Sequence, residues 1–180
     1  FLATGIALSG GMVIASDDLP KLPEGRKDIA LALFPPTGIA AQSLTPGEAP
    51  VSRAWRADLG EGRALVGVLN WSDEPFWAPW SELLEPGEVA FDIWNKKPLP
   101  MGDIYLRPHE GTLWQVSKAG PTPRVVGDSG HVAYHGLFQR PVSGRLQLRN
   151  DANRTRTVAI QHRGQIYTAD LAPGEMRWFD

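Results

Sequence analysis

Two adjacent carboxylates, Asp17 and Asp18, follow directly on the apolar run Met12-Val13-Ile14-Ala15. If that run is a buried strand, the pair sits at its carboxyl end, where βα loops build active sites in α/β sheets and barrels. Acid–base cleavage of a glycosidic bond needs two carboxylates facing each other across it, about 5 Å apart for retention or about 6.5–9.5 Å for inversion. Neighbours on one strand end point in different directions, so Asp17 and Asp18 do not make that pair. They are expected at the rim of a site, or, in the plainer alternative, one caps the next turn and the other faces solvent.

Other polar candidates are weaker. His109, His131, His135 and His162 are spread along the second half of the chain. His131 and His135 stand four apart, a spacing that aligns metal ligands only on a helix, and Gly130 and Gly136 argue against one. With no HExxH, no metal site is expected. Gly10-Gly11 has no lysine at phosphate-loop spacing, and Ser9-Gly10-Gly11 lacks the nucleophile-elbow pattern. Trp71, Trp77 and Trp80, with Phe76, crowd ten residues. Exposed rings of this kind stack on sugars, whereas buried ones fill a core, and the core is the favoured reading. Two sequons, Asn70-Trp71-Ser72 and Asn153-Arg154-Thr155, matter only along a eukaryotic secretory route.

Composition bounds the class. The 180 residues are 42% hydrophobic, 21% charged and 9% aromatic, as in ordinary globular domains. Such a length can bury about two-thirds of its unfolded surface. Eighteen basic against twenty acidic residues leave a net charge of -2, which argues against a nucleic-acid module held by phosphate electrostatics. The absence of cysteine excludes disulfides, thiolate catalysis, iron–sulfur clusters and cysteine zinc sites. It leaves the compartment open between secretion and a bacterial cytoplasm, which it slightly favours. No run of 18 apolar residues is present, so no membrane-spanning helix is expected.

The elements that would position these residues fall into two styles. Residues 1–8 (FLATGIAL) read as the end of a helix, and the chain, opening at Phe1 inside that phrase, is expected to be a segment of a longer polypeptide. Residues 12–15 read as a strand covered on both faces, and a helix over residues 25–34 runs from Pro23 to the stop at Pro35-Pro36. Helix end, strand, acidic loop and helix make one βα unit, which needs a sheet from outside these residues. The strand at 12–15 is therefore expected to pair in parallel with partners outside this chain. Expressed alone, residues 1–50 should be loosely held, while 51–180 fold cooperatively.

Residues 37–50 are a proline-rich connection. Beyond them, short strands alternate with Gly/Pro turns at roughly ten-residue spacing, which favours an antiparallel Greek-key β-sandwich. Strands are expected over 51–56, 64–70, 89–94, 103–107, 112–116, 124–126, 131–134, 144–149, 155–161, 165–169 and 174–179, the last three as a meander. The fold class expected is thus mainly β, with a terminal βα unit in front.

Residues 7–36 (ALSGGMVIASDDLPKLPEGRKDIALALFPP) resemble the end of the catalytic (β/α)8 barrel in the α-galactosidase clan of glycoside hydrolases, the melibiase-like families. Residues 63–72, 88–94 (EVAFDIW), 104–116 (IYLRPHEGTLWQV) and 125–131 (VVGDSGH) are similar, in order and spacing, to phrases of that clan's C-terminal β-domain. The resemblance covers about residues 3–132, and 133–180 are set apart as a possible added meander.

It implies residues 1–36 as the last part of the barrel, 37–50 as a connection and 51–180 as the β-domain. It implies a retaining hydrolase of α-linked galactosides or related oligosaccharides, needing no cofactor, whose catalytic aspartates lie on earlier strands. No catalytic residue is therefore expected here; Asp17 and Asp18 at most touch the substrate rim. The partner implied is the upstream barrel of the same polypeptide, and oligomers are common in the clan. The alternative is a non-catalytic carbohydrate-binding module with Trp71, Trp77 and Trp80 as its stacking platform.

Overall fold

The computed structural model describes residues 1–14, 16, 18–45, 47 and 51–180. Helix α1 (Leu2–Ser9) ends at Gly10, whose φ of 63° reverses the chain. A Cβ at Gly10 would lie 2.2 Å from the Ile39 carbonyl oxygen, so the returning chain also requires the missing side chain. A 3-10 turn (Leu19–Lys21) leads to α2 (Glu24–Ala32), preceded by Pro23.

Between them Met12, Val13 and Ile14 belong to no strand, and Met12 and Ile14 are 83% and 76% exposed. The strand expected over 12–15 is thus not seen in its described residues. Its neighbours in the chain are helices, which offer no ladder for an extended segment to join.

The remainder is built of antiparallel strands. These are β1 (Gln42–Ser43), β2 (Ala54–Gly60), β3 (Arg63–Leu69), β4 (Phe76–Ala78), and, after the short helix α3 (Trp80–Leu83), β5 (Glu88–Asp92) and β6 (Lys97–Pro98). There follow β7 (Ile104–Leu106), β8 (Gly111–Lys118), β9 (Arg124–Asp128), β10 (Leu137–Val142), β11 (Arg145–Asn150), β12 (Arg156–His162), β13 (Gln165–Leu171) and β14 (Met176–Phe179). A six-stranded sheet runs β1-β2-β3-β8-β5-β6; two three-stranded sheets run β13-β12-β9 and β10-β11-β14; β4 and β7 form a ribbon.

β3 lies between β2 and β8 with both faces covered, which is why RALVGVL reads as a continuous apolar run rather than an alternation. One face of the sheet packs Leu65, Leu69, Phe91 and Leu113 against Ala7 and Leu8 of α1, Leu33 after α2, and Val126 and Ala159 of the β9-β12 sheet. The other face packs Val66, Val68 and Trp114 under the β4–β7 ribbon and Leu83. A third core lies between the two three-stranded sheets, around Leu148, Val158, Ile160 and Leu171.

Ala7, Leu8 and Leu33 thus belong to the same core as the six-stranded sheet, and the opening helices do not stand apart from it. Residues 131–134 form a turn, with Tyr134 at φ 63°, where a strand was expected. The last strand does not continue a meander. β14 leaves β13 to pair with β11, closing the C-terminal pair of sheets around the β12–β13 hairpin.

Candidate functional site

Asp18 precedes the 3-10 turn but makes no capping hydrogen bond with its side chain; the carboxylate, half exposed, lies 2.7 Å from Lys21 Nζ. Asp17 lies outside the described residues.

The three tryptophans are each paired with a different aromatic ring. Trp71 meets Phe1 edge-on, centroids 4.7 Å apart, and its Nε1–H donates to the Ser52 carbonyl at 2.9 Å. Trp77 on β4 lies 5.1 Å from Tyr105, its ladder partner on β7. Trp80 stacks at 6.3 Å on Trp114, which is fully buried. Trp80 therefore serves the core, while Trp71 and Trp77 keep exposed faces.

The densest polar chemistry is elsewhere, where the loop after β9 meets α2. Asp128 and Arg156 form an ion pair at 2.8 Å with both side chains essentially inaccessible. Asp128 Oδ1 also accepts the Gly130 N–H at 2.8 Å, and Arg156 donates to the His135 carbonyl at 2.9 Å. Burial pushes the Asp128 carboxyl up to about 6 against the opposing pull of Arg156, so it is ionised at neutral pH.

His131 lies beside this pair. Its Nδ1 accepts the Ala133 N–H at 2.8 Å, so Nε2 carries the proton and donates it to the Pro35 carbonyl at 2.8 Å. Burial lowers this histidine to about 4, which keeps it neutral. Gln115 ties the same loop to β8 by donating to the His131 and Val132 carbonyls. Arg154 donates to the Gly130 carbonyl and lies 3.5 Å from Asp28 of α2, which Lys96 also reaches at 2.8 Å.

Each residue of this network has a protein partner, though the buried Arg156 Nε–H has none among the described residues, and the network's protonation states suit a lock rather than a proton-transfer site. Sequence reading quotes several of these residues, Pro35 in 7–36, Gln115 in 104–116, Arg154 in a sequon and Asp128 with His131 in 125–131, without linking them. The burial of Arg156 has no local sign, because its partner lies 28 positions away. Among the described residues no three His, Cys, Asp or Glu side chains gather as a metal site. Among the described residues no helix is long and apolar enough to cross a membrane.

The fold and these sites define a mainly β chain of antiparallel sheets, consistent with a β-sandwich domain, with helices docked on one face. No family model matches the chain. Its fold is similar to that of a solved chain from Bacillus halodurans C-125 provisionally named alpha-N-acetylgalactosaminidase, with a TM-score of 0.53 and 17% identity. That likeness covers 65% of this chain and 31% of the other. Human tapasin is 34% identical over an alignment 73 residues long that covers 30% of this chain and 16% of tapasin.

Proposed function

We propose that the chain is the C-terminal part of a retaining α-galactosidase-like glycoside hydrolase. Residues 1–36 are then the end of its catalytic (β/α)8 barrel, 37–50 a connection, and 51–180 a β-domain whose role is structural. The observation that carries this reading is the shared fold with the Bacillus halodurans chain, over about a third of that chain's length. It agrees in kind with the resemblance of residues 3–132.

Two physical features support it. The helices α1 and α2 dock on the six-stranded sheet through Leu8 and Leu33, as helices at a barrel's rim would. Met12 and Ile14 are uncharged and solvent-exposed, a surface that a neighbouring parallel strand would cover. The catalytic carboxylates belong to earlier strands in this reading, and Asp17 and Asp18 to the rim. A platform built from Trp71, Trp77 and Trp80 together has less support, since each ring has its own aromatic partner.

The test compares residues 1–180 with the polypeptide extended through its upstream coding sequence. Both are assayed on p-nitrophenyl α-galactoside and α-N-acetylgalactosaminide, with the released anomer followed by NMR. The extended protein should hydrolyse at least one of them with retention, and residues 1–180 neither. Turnover by residues 1–180, an inverted product, or an inactive extended protein would overturn the reading.

A further inference from the structure

On the face of the six-stranded sheet opposite α1 and α2 there is a cleft of about 340 Å³, within the size range of small-molecule sites. Its apolar lining includes Ala54, Val68, Ala78 and Leu83, the buried side chains of the second core. Trp77 is 61% exposed, lines the cleft, and extends outward to Tyr105, itself 49% exposed. Hydrophobic packing does not require two large aromatics to face solvent side by side on one ribbon.

Among the described residues Thr45, Arg53 and Glu82 bring polar side chains to the lining. The Arg53 guanidinium lies over the Phe76 ring, 4.6 Å from its centroid, a contact that holds a long side chain in place. Glu82 on α3 is exposed. Among the described residues neither Arg53 nor Glu82 takes part in an ion pair.

We infer that this cleft binds one pyranose ring of a neutral saccharide, with Trp77 as the stacking wall and Arg53 and Glu82 as its hydrogen-bonding groups. A pyranose presents a patch of C–H groups on one face and hydroxyls around its edge. The indole matches the first. The guanidinium donates to hydroxyl oxygens, and the carboxylate accepts hydroxyl protons. Among the described lining residues one positive side chain balances one negative, which suits a neutral polyol over a phosphate or a carboxylate. The inference does not rest on the hydrolase reading.

The experiment is a titration of ¹⁵N-labelled residues 1–180 with galactose, N-acetylgalactosamine and glucose into the high-millimolar range, followed by NMR. The Trp77 indole N–H and the amides of Arg53 and Glu82 should shift together and saturate with one Kd in the millimolar range for at least one sugar. Trp77→Ala, at an exposed position whose ring packs on Tyr105, should weaken binding about tenfold or more. Glu82→Gln should weaken it several-fold. Trp178→Ala, at another exposed indole on β14, should leave the affinity unchanged. The inference is overturned by no saturable shift with any of the three sugars, by equal shifts at Trp178, or by unaltered binding in Trp77→Ala.

Discussion

Replacing His131 with glutamine should change how stability depends on pH more than it changes stability at neutral pH. The folded ring is neutral, donating to the Pro35 carbonyl and accepting from the Ala133 N–H. A second proton on Nδ1 would point at that N–H donor, with the His135 ring 4.5 Å away, the cations Arg154 and Arg156 nearby, and Asp128 on the His131 backbone N–H. Burial lowers its pKa to about 4 from an ordinary 6.5. Between those values the unfolded chain takes up a proton that the folded ring refuses. Stability from this group therefore rises with pH through the window and is lost on acidification.

Over the whole window the loss amounts to about 3 kcal/mol, at about 1.36 kcal/mol per pH unit. Asp128 works the other way. Burial raises it to about 6 from 3.8, so the folded carboxyl takes its proton first and acidification from about 6 to about 4 offsets much of that loss. A flat wild-type profile is thus expected, and only the difference from His131→Gln isolates the histidine. Glutamine can still donate towards Pro35 but leaves the Ala133 N–H unpaired, costing about 1–2 kcal/mol at pH 7.5. In urea unfolding at pH 4.5 that gap should shift by about 2.5 kcal/mol in the variant's favour. A gap that is the same at both pH values, or wider in acid, refutes the assignment of a neutral His131.

Glycine substitutions should rank by what a new Cβ meets, read by thermal or urea unfolding. Gly127→Ala, at 2.1 Å from Phe91 Cβ, should cost about 3 kcal/mol; Gly67→Ala, against the movable end of Leu8, about 1 kcal/mol; and Gly5→Ala, in open space on α1, should gain up to about 1 kcal/mol. Arg156→Met should cost about 3–5 kcal/mol by leaving Asp128 buried without its partner. Adding Asp128→Asn should then cost less than the sum of the two single changes, as a double-mutant cycle will show. In hydrogen exchange the amides of Val13 and Ile14, outside any strand, should exchange freely in residues 1–180, while those of Val66 and Val68 stay protected. Comparable protection at both places would contradict the described conformation.

Legibility from sequence followed local determinism. β3 is an apolar run, and β5 and β8 are short strands rich in apolar residues between turns, so their existence and approximate limits could be read from the chain. β10 was not foreseen because Pro141 interrupts it; the strand lies at the edge of its sheet, where a missing N–H is tolerated. Residues 12–15 misled for the opposite reason. Their apolar character states a need for cover, and whether a partner is there to meet it is not a local property. The tryptophans, close in sequence, diverge because β4 turns Trp77 outward to Tyr105 while Trp80, on α3, lies against Trp114. The Asp128–Arg156–His131 network depends on residues from α2, β8, β9 and β12, and no window along the chain contains it.

That network also explains why the opening helices and the sheets complete one another. The end of a helix leaves carbonyls without intrahelical partners. Here the Ala32 carbonyl accepts the Val132 N–H at 3.0 Å, and the Pro35 carbonyl accepts His131. Asp28 is held by Lys96 and Arg154 from two separate loops. At the other helix, the Leu8 carbonyl accepts the Ala41 N–H at 2.8 Å, and Thr4 Oγ1 accepts the Trp94 indole N–H at 3.0 Å. Removing α2 and the turn after it would leave the His131 Nε2–H and the Val132 N–H unpaired beside the Asp128–Arg156 ion pair. Removing that loop would leave the carbonyls after α2 without donors. Each side therefore satisfies polar groups that the other cannot satisfy alone, at contacts separated by roughly a hundred residues in sequence. Such a seam forms only when the whole chain is in place, and it holds the helices against the sheet by named hydrogen bonds as well as by the burial of Leu8 and Leu33.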